Sequence, residues 1–367
     1  MQDRYISLMD GDILNLVRRA SALTWRYPLY FASFLRIAAF QKKAAEIRSA
    51  HRESGLTVPA FMIVSMTRRC NLRCRGCYSH IATGSEKAAG RLPELDSANL
   101  GRVIAEGAEL GVSFMLLAGG EPLVRADDIF GMAQRNPNVI FPVFTNGTLL
   151  DDRMIKKFQK YRNLIPVLSI EGGKESTDAR RGSGVFEQVV DKMRHLKKAG
   201  IFFGLSFTVM KGNILELTSP DFIKELVRQG TGLFFFNEYT PIENGTSELC
   251  IDQAERERMM QDMQVFKKKY KALFLAFPGD EDRFGGCLSS GRGFVHVAPD
   301  GRLESCPFAP FGDSEARNQP LREALRSPLL AQIRAHHDEL SETSAGCALW
   351  NRREWVESLL SREPALP

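Results

Sequence analysis

Three cysteines stand as Cys70-x3-Cys74-x2-Cys77 inside the stretch TRRCNLRCRGCYSH. Thiolates are soft ligands, suited to iron–sulfur clusters and zinc. Three of them from one short loop hold three corners of a cubic iron–sulfur cluster, for which the usual protein set is four. The fourth iron then keeps an open coordination position, where chemistry can occur. A zinc site closed by His80 is the other reading of the same spacing.

Further residues of chemical interest follow at regular intervals. Gly119-Gly120-Glu121-Pro122 ends an apolar run; its glycines allow close backbone approach to a ligand, and Glu121 can accept from an ammonium group. The bland reading is a strand-ending turn. Thr145-Asn146-Gly147 is a second such turn. Ser169 ends a fourth run, and Arg181 comes 12 positions later, able to grip a carboxylate in a bidentate fork. Arg180 beside it reads as solvated surface. Toward the C-terminus, Cys287-x13-Gly301-x4-Cys306 encloses a segment that reads as a hairpin turning at Asp300-Gly301. Cys347 lies beyond it and Cys250 before it. Buried cysteines acting as small hydrophobes are the plain alternative for these four. His296, His336 and His337 fall in no ligand spacing, whereas Asn237, Glu238 and Tyr239 end a sixth apolar run.

These residues need a scaffold that places them together. Short β-branched or aromatic runs occur at 61–66, 113–117, 139–145, 165–170, 201–209 and 233–239, each of the length of a buried parallel strand. Amphipathic stretches at 97–110, 129–134, 152–161, 186–199 and 220–229 alternate with them. The expected fold is α/β: a partial (β/α)6 barrel of the TIM type, with chemistry beyond the carboxyl ends of the strands. The cysteine loop follows the first strand, where a barrel enzyme places its site. The pattern changes after Tyr239, with a charged helix at 254–270. The expected division is a helical N-terminal extension (1–55), the barrel core (56–250), a helical linker (251–284) and a small α+β C-terminal domain (285–367). The extension reads as a helical cap on the core. The sharper reading is a peripheral membrane or partner contact through Trp25, Tyr27, Tyr30 and Phe31.

Composition bounds the function classes. The chain has 367 residues, 44% hydrophobic and 25% charged, as in soluble globular proteins. Its 49 basic and 44 acidic residues leave a net charge of +5, too mild a surplus to argue for nucleic acid. No secretion signal or spanning segment is evident, so a cytoplasmic location is expected. Seven cysteines in such a chain point to metal or redox chemistry rather than disulfides.

Taken together, the motifs resemble the radical S-adenosylmethionine (radical SAM) superfamily. The cysteine loop resembles its cluster loop, Gly119–Pro122 its GGEP motif, and Thr145–Gly147 its TNG step. Ser169 to Gly182 is similar to the SxDG…HDxxRG pattern of peptide-modifying members, with Glu171 for the usual Asp and Thr177 for the His. Cys287, Gly301 and Cys306 resemble the opening of the auxiliary-cluster domain called SPASM, in the abbreviated "twitch" form, because Cys347 is the one later cysteine. The resemblance implies that Cys70, Cys74 and Cys77 hold a [4Fe–4S] cluster whose open iron binds S-adenosylmethionine (SAM). It assigns Gly119, Gly120 and Glu121 to the SAM amine and Ser169 and Arg181 to its carboxylate, with Thr145, Asn146 and Tyr78 beside the cofactor. It further implies an auxiliary [4Fe–4S] cluster on Cys287, Cys306 and Cys347, completed by Cys250, by substrate or by nothing. Reductive cleavage of SAM would give a 5′-deoxyadenosyl radical, with flavodoxin or ferredoxin as reductant, that takes hydrogen from a substrate. The first expectation for that substrate is a peptide or protein side chain, oxidised or crosslinked. A haem-precursor or molybdenum-cofactor-like step is the alternative, and a non-enzymatic iron–sulfur scaffold or redox sensor the third. No catalytic side chain is assigned.

Overall fold

The computed structural model describes residues 2–21, 23, 27–80, 92–279, 281–340 and 347–360. Two helices, α1 (Gln2–Ser21) and α2 (Phe31–Glu53), precede the alternating core. The core runs β1 (Phe61–Ser65), α3 (Ser97–Glu109), β2 (Phe114–Ala118), α4 (Ala126–Arg135), β3 (Phe141–Thr145), α5 (Asp152–Lys160) and β4 (Leu164–Ser169). It continues with α6 (Lys174–Arg181), α7 (Val185–Lys198), β5 (Gly204–Val209), α8 (Pro220–Arg228) and β6 (Leu233–Glu238). Asp96, Asp151 and Ser219 cap α3, α5 and α8 by accepting from the third backbone N–H beyond them, which sets each strand-to-helix exchange.

The six expected strands lie in sequential parallel order, and two more parallel strands join them. After α9 (Gln253–Lys269), β7 (Leu273–Phe277) pairs with β6, and β8 (Phe294–Val297) pairs with β1. The parallel array therefore holds eight strands. It does not close by hydrogen bonds, because the outer edge of β8 is taken by antiparallel β9 (Arg302–Glu304), which in turn pairs with β10 (Ser314–Glu315). The rings of Phe277 and Phe294 meet at 5.2 Å across the seam between β7 and β8. The hairpin expected at Asp300-Gly301 is the β8–β9 turn, with Gly301 at φ +92°. Helices α10 (Pro328–Ala335) and α11 (Arg353–Leu360) pack beyond the hairpin.

Alternate residues of each strand face inward or outward. Met62, Val64, Met115, Leu117 and Val143 point to the helices and form the main core. Phe114, Ile140, Ile165, Phe202, Leu233 and Leu273 form a second apolar cluster with Met9, Ile13, Val17, Tyr30, Phe34 and Ile37. Those strand positions are at or beside the amino ends, so α1 and α2 form the floor of the barrel. Tyr27 and Tyr30 are buried yet keep their hydroxyls satisfied: Tyr27 donates to the Gly230 carbonyl at 2.7 Å, and Tyr30 accepts from Phe202 N–H at 3.1 Å. Of the side chains invoked for a surface contact, Phe31 is exposed while Tyr27 and Tyr30 are core; Trp25 lies outside the described residues. No described helix is long and apolar enough to cross a membrane.

Candidate active site

The cysteine loop leaves the carboxyl end of β1 and is held by backbone contacts that only glycine permits. Gly120 N–H donates to the Thr67 carbonyl at 2.7 Å, and Glu121 N–H to the Arg69 carbonyl at 2.8 Å. A Cβ on Gly120 would sit 2.2 Å from the Arg69 oxygen, and one on Gly119 (φ +113°) 2.7 Å from the Thr67 oxygen. What approaches them is the start of the cysteine loop itself. Both glycines also line the cavity. On its far side the loop is tied by Arg75 N–H to the Arg180 carbonyl at 3.0 Å, and the Tyr239 ring fills the space over Gly76.

Cys70, Cys74 and Cys77 are free and half-buried. Burial pushes the Cys70 and Cys74 thiols up, and Arg181 and Arg180 partly offset this at Cys74. Among the described residues no three His, Cys, Asp or Glu side chains converge on one ion. The His80 ring donates Nε2–H to the Leu72 carbonyl at 2.8 Å. A zinc site gathers four ligands on one point. Cys70, Cys74 and Cys77 all line one cavity.

Glu121 is 1% exposed and is the hub beside this loop. Its Oε1 accepts from Leu123 N–H at 3.0 Å and the Thr145 hydroxyl at 2.7 Å, and its Oε2 from Asn146 N–H at 2.8 Å. Burial raises its pKa, while these hydrogen bonds and the Arg181 charge pull the other way. Asn146 donates Nδ2–H to Asn71 Oδ1 at 2.9 Å, which joins the β3 turn to the cysteine loop.

At the end of β4, Ser169 lines the cavity beside Ser206 of β5, and Asn237 of β6 donates to Ser206 Oγ at 2.9 Å. Arg181 reaches the same rim from α6. It is anchored by Glu171, which accepts on Oε1 from Arg181 Nε at 2.8 Å and Nη2 at 2.6 Å. Arg180, read from the sequence as solvated, is instead 11% exposed and pairs with the same oxygen at 2.5 Å. The correction has a clear cause: Glu171 is fully buried, and its charge requires partners. Thr208 N–H donates to its other oxygen at 2.8 Å. Thr177 serves the turn, accepting from Glu171 N–H and donating to the Gly172 carbonyl.

Cys287, Cys306 and Cys347 are all buried and share one apolar cluster with Phe294, Phe311 and Ile333. Burial raises the Cys287 thiol well above its ordinary value, with Glu281 and Cys347 adding to it; burial and then Cys287 do the same to Cys306. Cys250 points its thiol to the Tyr239 carbonyl at 3.7 Å. The two cysteine sites touch through Tyr78, next to Cys77, whose ring meets Phe308 at 5.0 Å edge to face. Burial drives the Tyr78 hydroxyl far above its usual range.

One polar group was not recognised from spacing. His296 of β8 accepts on Nε2 from, or donates to, Ser65 Oγ at 2.8 Å, and its Nδ1 meets Glu304 Oε2 at 2.9 Å. Glu304 also pairs with Arg302, Arg302 with Asp300, and Asp300 with Arg68. This chain links the segment before Cys70 to the hairpin before Cys306. Its members are far apart in sequence, so only the β1–β8 pairing reveals them.

A cavity of about 700 Å³ joins these parts, from the cysteine loop and Glu121 down through the barrel to α1. The family model for the "Radical SAM superfamily" matches residues 64–216. Residues 64–216 thus form a domain of that superfamily. Its members use a [4Fe–4S] cluster and SAM in radical-based catalysis, and this protein is accordingly a radical SAM enzyme. It is 28% identical over 327 residues to an AdoMet-dependent heme synthase of Methanosarcina barkeri, covering 79% of this chain and 91% of that one. It is 30% identical over 216 residues to the Fe-coproporphyrin III synthase of the same organism, covering 55% and 52%. In fold it resembles Streptococcus suis SuiB, solved with S-adenosylmethionine, with a TM-score of 0.61 at 16% identity, covering 81% of this chain and 70% of SuiB.

Proposed function

We propose that this radical SAM enzyme removes hydrogen from an unactivated C–H bond of a small, apolar-bodied molecule held in the barrel lumen. In this reading Cys70, Cys74 and Cys77 hold the [4Fe–4S] cluster. When bound, cluster and SAM together supply a 5′-deoxyadenosyl radical from one electron, which flavodoxin or ferredoxin delivers. Glu121 receives the SAM amine, and Thr145 and the Asn146 backbone fix the carboxylate that does so. Gly119 and Gly120 hold the cysteine loop against that carboxylate. Ser169 and Arg181 take the SAM carboxylate, with Glu171 setting the guanidinium plane. Tyr78 and Asn146 pack at the loop's two ends. Cys287, Cys306 and Cys347 would hold an auxiliary cluster, which could accept the electron left on the substrate radical as a proton is lost, making the net reaction an oxidation.

The observation that carries this reading is the cavity: it is continuous from the cysteine loop into an apolar lumen. The heme synthase relative supports small-molecule chemistry. So does the placement of α1 and α2, which are used up as barrel floor. A second reading, modification of a peptide or protein side chain, is favoured by the resemblance of the Ser169 to Arg181 stretch to peptide-modifying members. The two are separated by incubating reconstituted enzyme, SAM and reductant with deuterated cell extract split into small-molecule and peptide fractions. The expected result is deuterium in 5′-deoxyadenosine from the small-molecule fraction. Label from the peptide fraction alone would establish the second reading instead.

A further inference from the structure

Parallel barrels of this kind normally fill their interior with layers of strand side chains. Here the inward positions include Ala118, Pro142, Ser169, Gly204 and Ser206, and the space they leave is the cavity of about 700 Å³. That volume is well inside the range of ligand pockets, ~300–1,000 Å³. Its polar groups are unevenly placed. Ser169, Thr208, Asn237 and the cysteine loop ring the upper end. Below them, apart from Ser206, whose hydroxyl accepts from Asn237, the described lining side chains down to the floor are apolar, Ile63, Leu116, Phe235 and Leu275 included.

The cavity does not stop at the floor. Its lining continues past Met9 and Ile13 to Asn15 and Arg19 of α1 and Gln264 and Lys267 of α9, of which Asn15, Arg19 and Gln264 are exposed. This is a second mouth. Arg19 Nη2 donates to the Lys267 carbonyl at 2.8 Å, so the last turns of α1 and α9 meet there. Those turns carry Arg18, Arg19, Lys267, Lys268 and Lys269, against Asp12 in the lining. Basic residues suit helix C-termini in any protein. Helix chemistry alone gives no reason for both turns to border the opening of an apolar channel.

We infer that the substrate is a slender single-chain amphiphile, its hydrocarbon chain lying along the lumen and its anionic end at the mouth between α1 and α9. The inference rests on the reading of the cysteine end as the radical-generating site, which the far end of the chain would face. One alternative fits the lumen poorly. A peptide would bring an N–H and a C=O with every residue into a region where, among the described lining side chains, Ser206 alone is polar, and unpaired buried polar groups are heavily disfavoured.

The test is binding of cis-parinaric acid, a slender fluorescent polyene carboxylate, to the purified full chain, with its methyl ester for comparison. Saturable single-site binding is expected. Leu116→Trp and, independently, Ile63→Trp obstruct the lumen from two strands and should each weaken binding at least ~10-fold while retaining a cooperative unfolding transition. The surface variant Arg19→Glu with Lys267→Glu should weaken the acid and leave the ester unchanged. Competition by dodecanoate and by farnesyl phosphate would distinguish an acyl carboxylate from an isoprenoid phosphate. Absent saturable binding, or binding that both tryptophan variants leave intact, overturns the inference. Equal loss of acid and ester in the charge variant overturns the anionic end. SAM cleavage by the native chain is measured in parallel: cleavage without probe binding sinks this inference alone, whereas probe binding without cleavage sinks the reading beneath it.

Discussion

The Glu171–Arg180–Arg181 group allows stability and cofactor binding to be pulled apart. Glu171 is wholly buried, and the two arginine side chains are 11% and 10% exposed. Glu171→Gln leaves two guanidinium groups facing a neutral amide. Removing one partner of a buried ion pair costs about 3–5 kcal/mol, and the residual exposure of the arginines favours the lower end, about 3 kcal/mol. Arg181→Ala differs, since Glu171 keeps Arg180 at 2.5 Å and Thr208 N–H at 2.8 Å. Its stability cost is about 1.5–3 kcal/mol, the worth of one charged hydrogen-bonding partner. For SAM the order reverses. Arg181→Ala deletes the group proposed to meet the SAM carboxylate, with an expected loss of about 10- to 100-fold in affinity. Glu171→Gln keeps that group and only releases its orientation, for a smaller loss. Urea unfolding and equilibrium dialysis of SAM on the reconstituted proteins measure the two orders. If Arg181→Ala binds SAM as well as the native chain does, the carboxylate assignment is wrong. If Glu171→Gln unfolds at the native urea midpoint, the argument from burial fails.

Three further outcomes follow from the same geometry. Gly120→Ala places a methyl 2.2 Å from the Arg69 carbonyl, so the cysteine loop must shift; about 1–3 kcal/mol of stability should be lost, with less iron retained per chain on reconstitution. His296→Phe strands the Ser65 hydroxyl and one Glu304 oxygen in the core, and about 1–3 kcal/mol of unfolding free energy should disappear while helix content is kept by circular dichroism. Burial raises the Tyr30 phenol from 10.0 to about 12. The protonated phenol favours the fold, so its contribution is complete below pH 10 and lost as pH rises through about 12, a total of about 3 kcal/mol. Tyr30→Phe should flatten that alkaline decline in urea midpoints, though it starts from a lower value because Phe202 N–H loses its acceptor.

Much of the barrel was legible in local pattern. The runs at 61–66, 165–170 and 233–239 became β1, β4 and β6 to within a residue, because a strand buried on both faces must be continuously apolar. Helix starts at Ser97, Asp152 and Pro220 were read from amphipathic patterning, and in the structure Asp96, Asp151 and Ser219 cap them. The strands that widen the sheet to eight were not legible. Leu273–Phe277 lies within the stretch read as a helical linker (251–284), and its pairing with β6 is set by tertiary structure. Phe294–Val297 was read as one arm of a hairpin, and its other edge on β1 has no local signature. The same limit governs the site. Cys70, Glu121 and Ser169 announce themselves by spacing at strand ends. Arg180 and His296 do not, since one is drawn inward by a carboxylate on another element and the other by Ser65 and Glu304. Gly119 and Gly120 were read as room for a ligand; they line the cavity and also admit the start of the cysteine loop.

The most direct test of the central claim is 5′-deoxyadenosine formation from SAM by the anaerobically reconstituted, dithionite-reduced protein, beside a Cys74→Ala variant. The account predicts product from the native chain and none above background from the variant. Absence of product from a native chain that holds both iron and sulfide would contradict it, and would favour a scaffold or redox sensor built on this barrel.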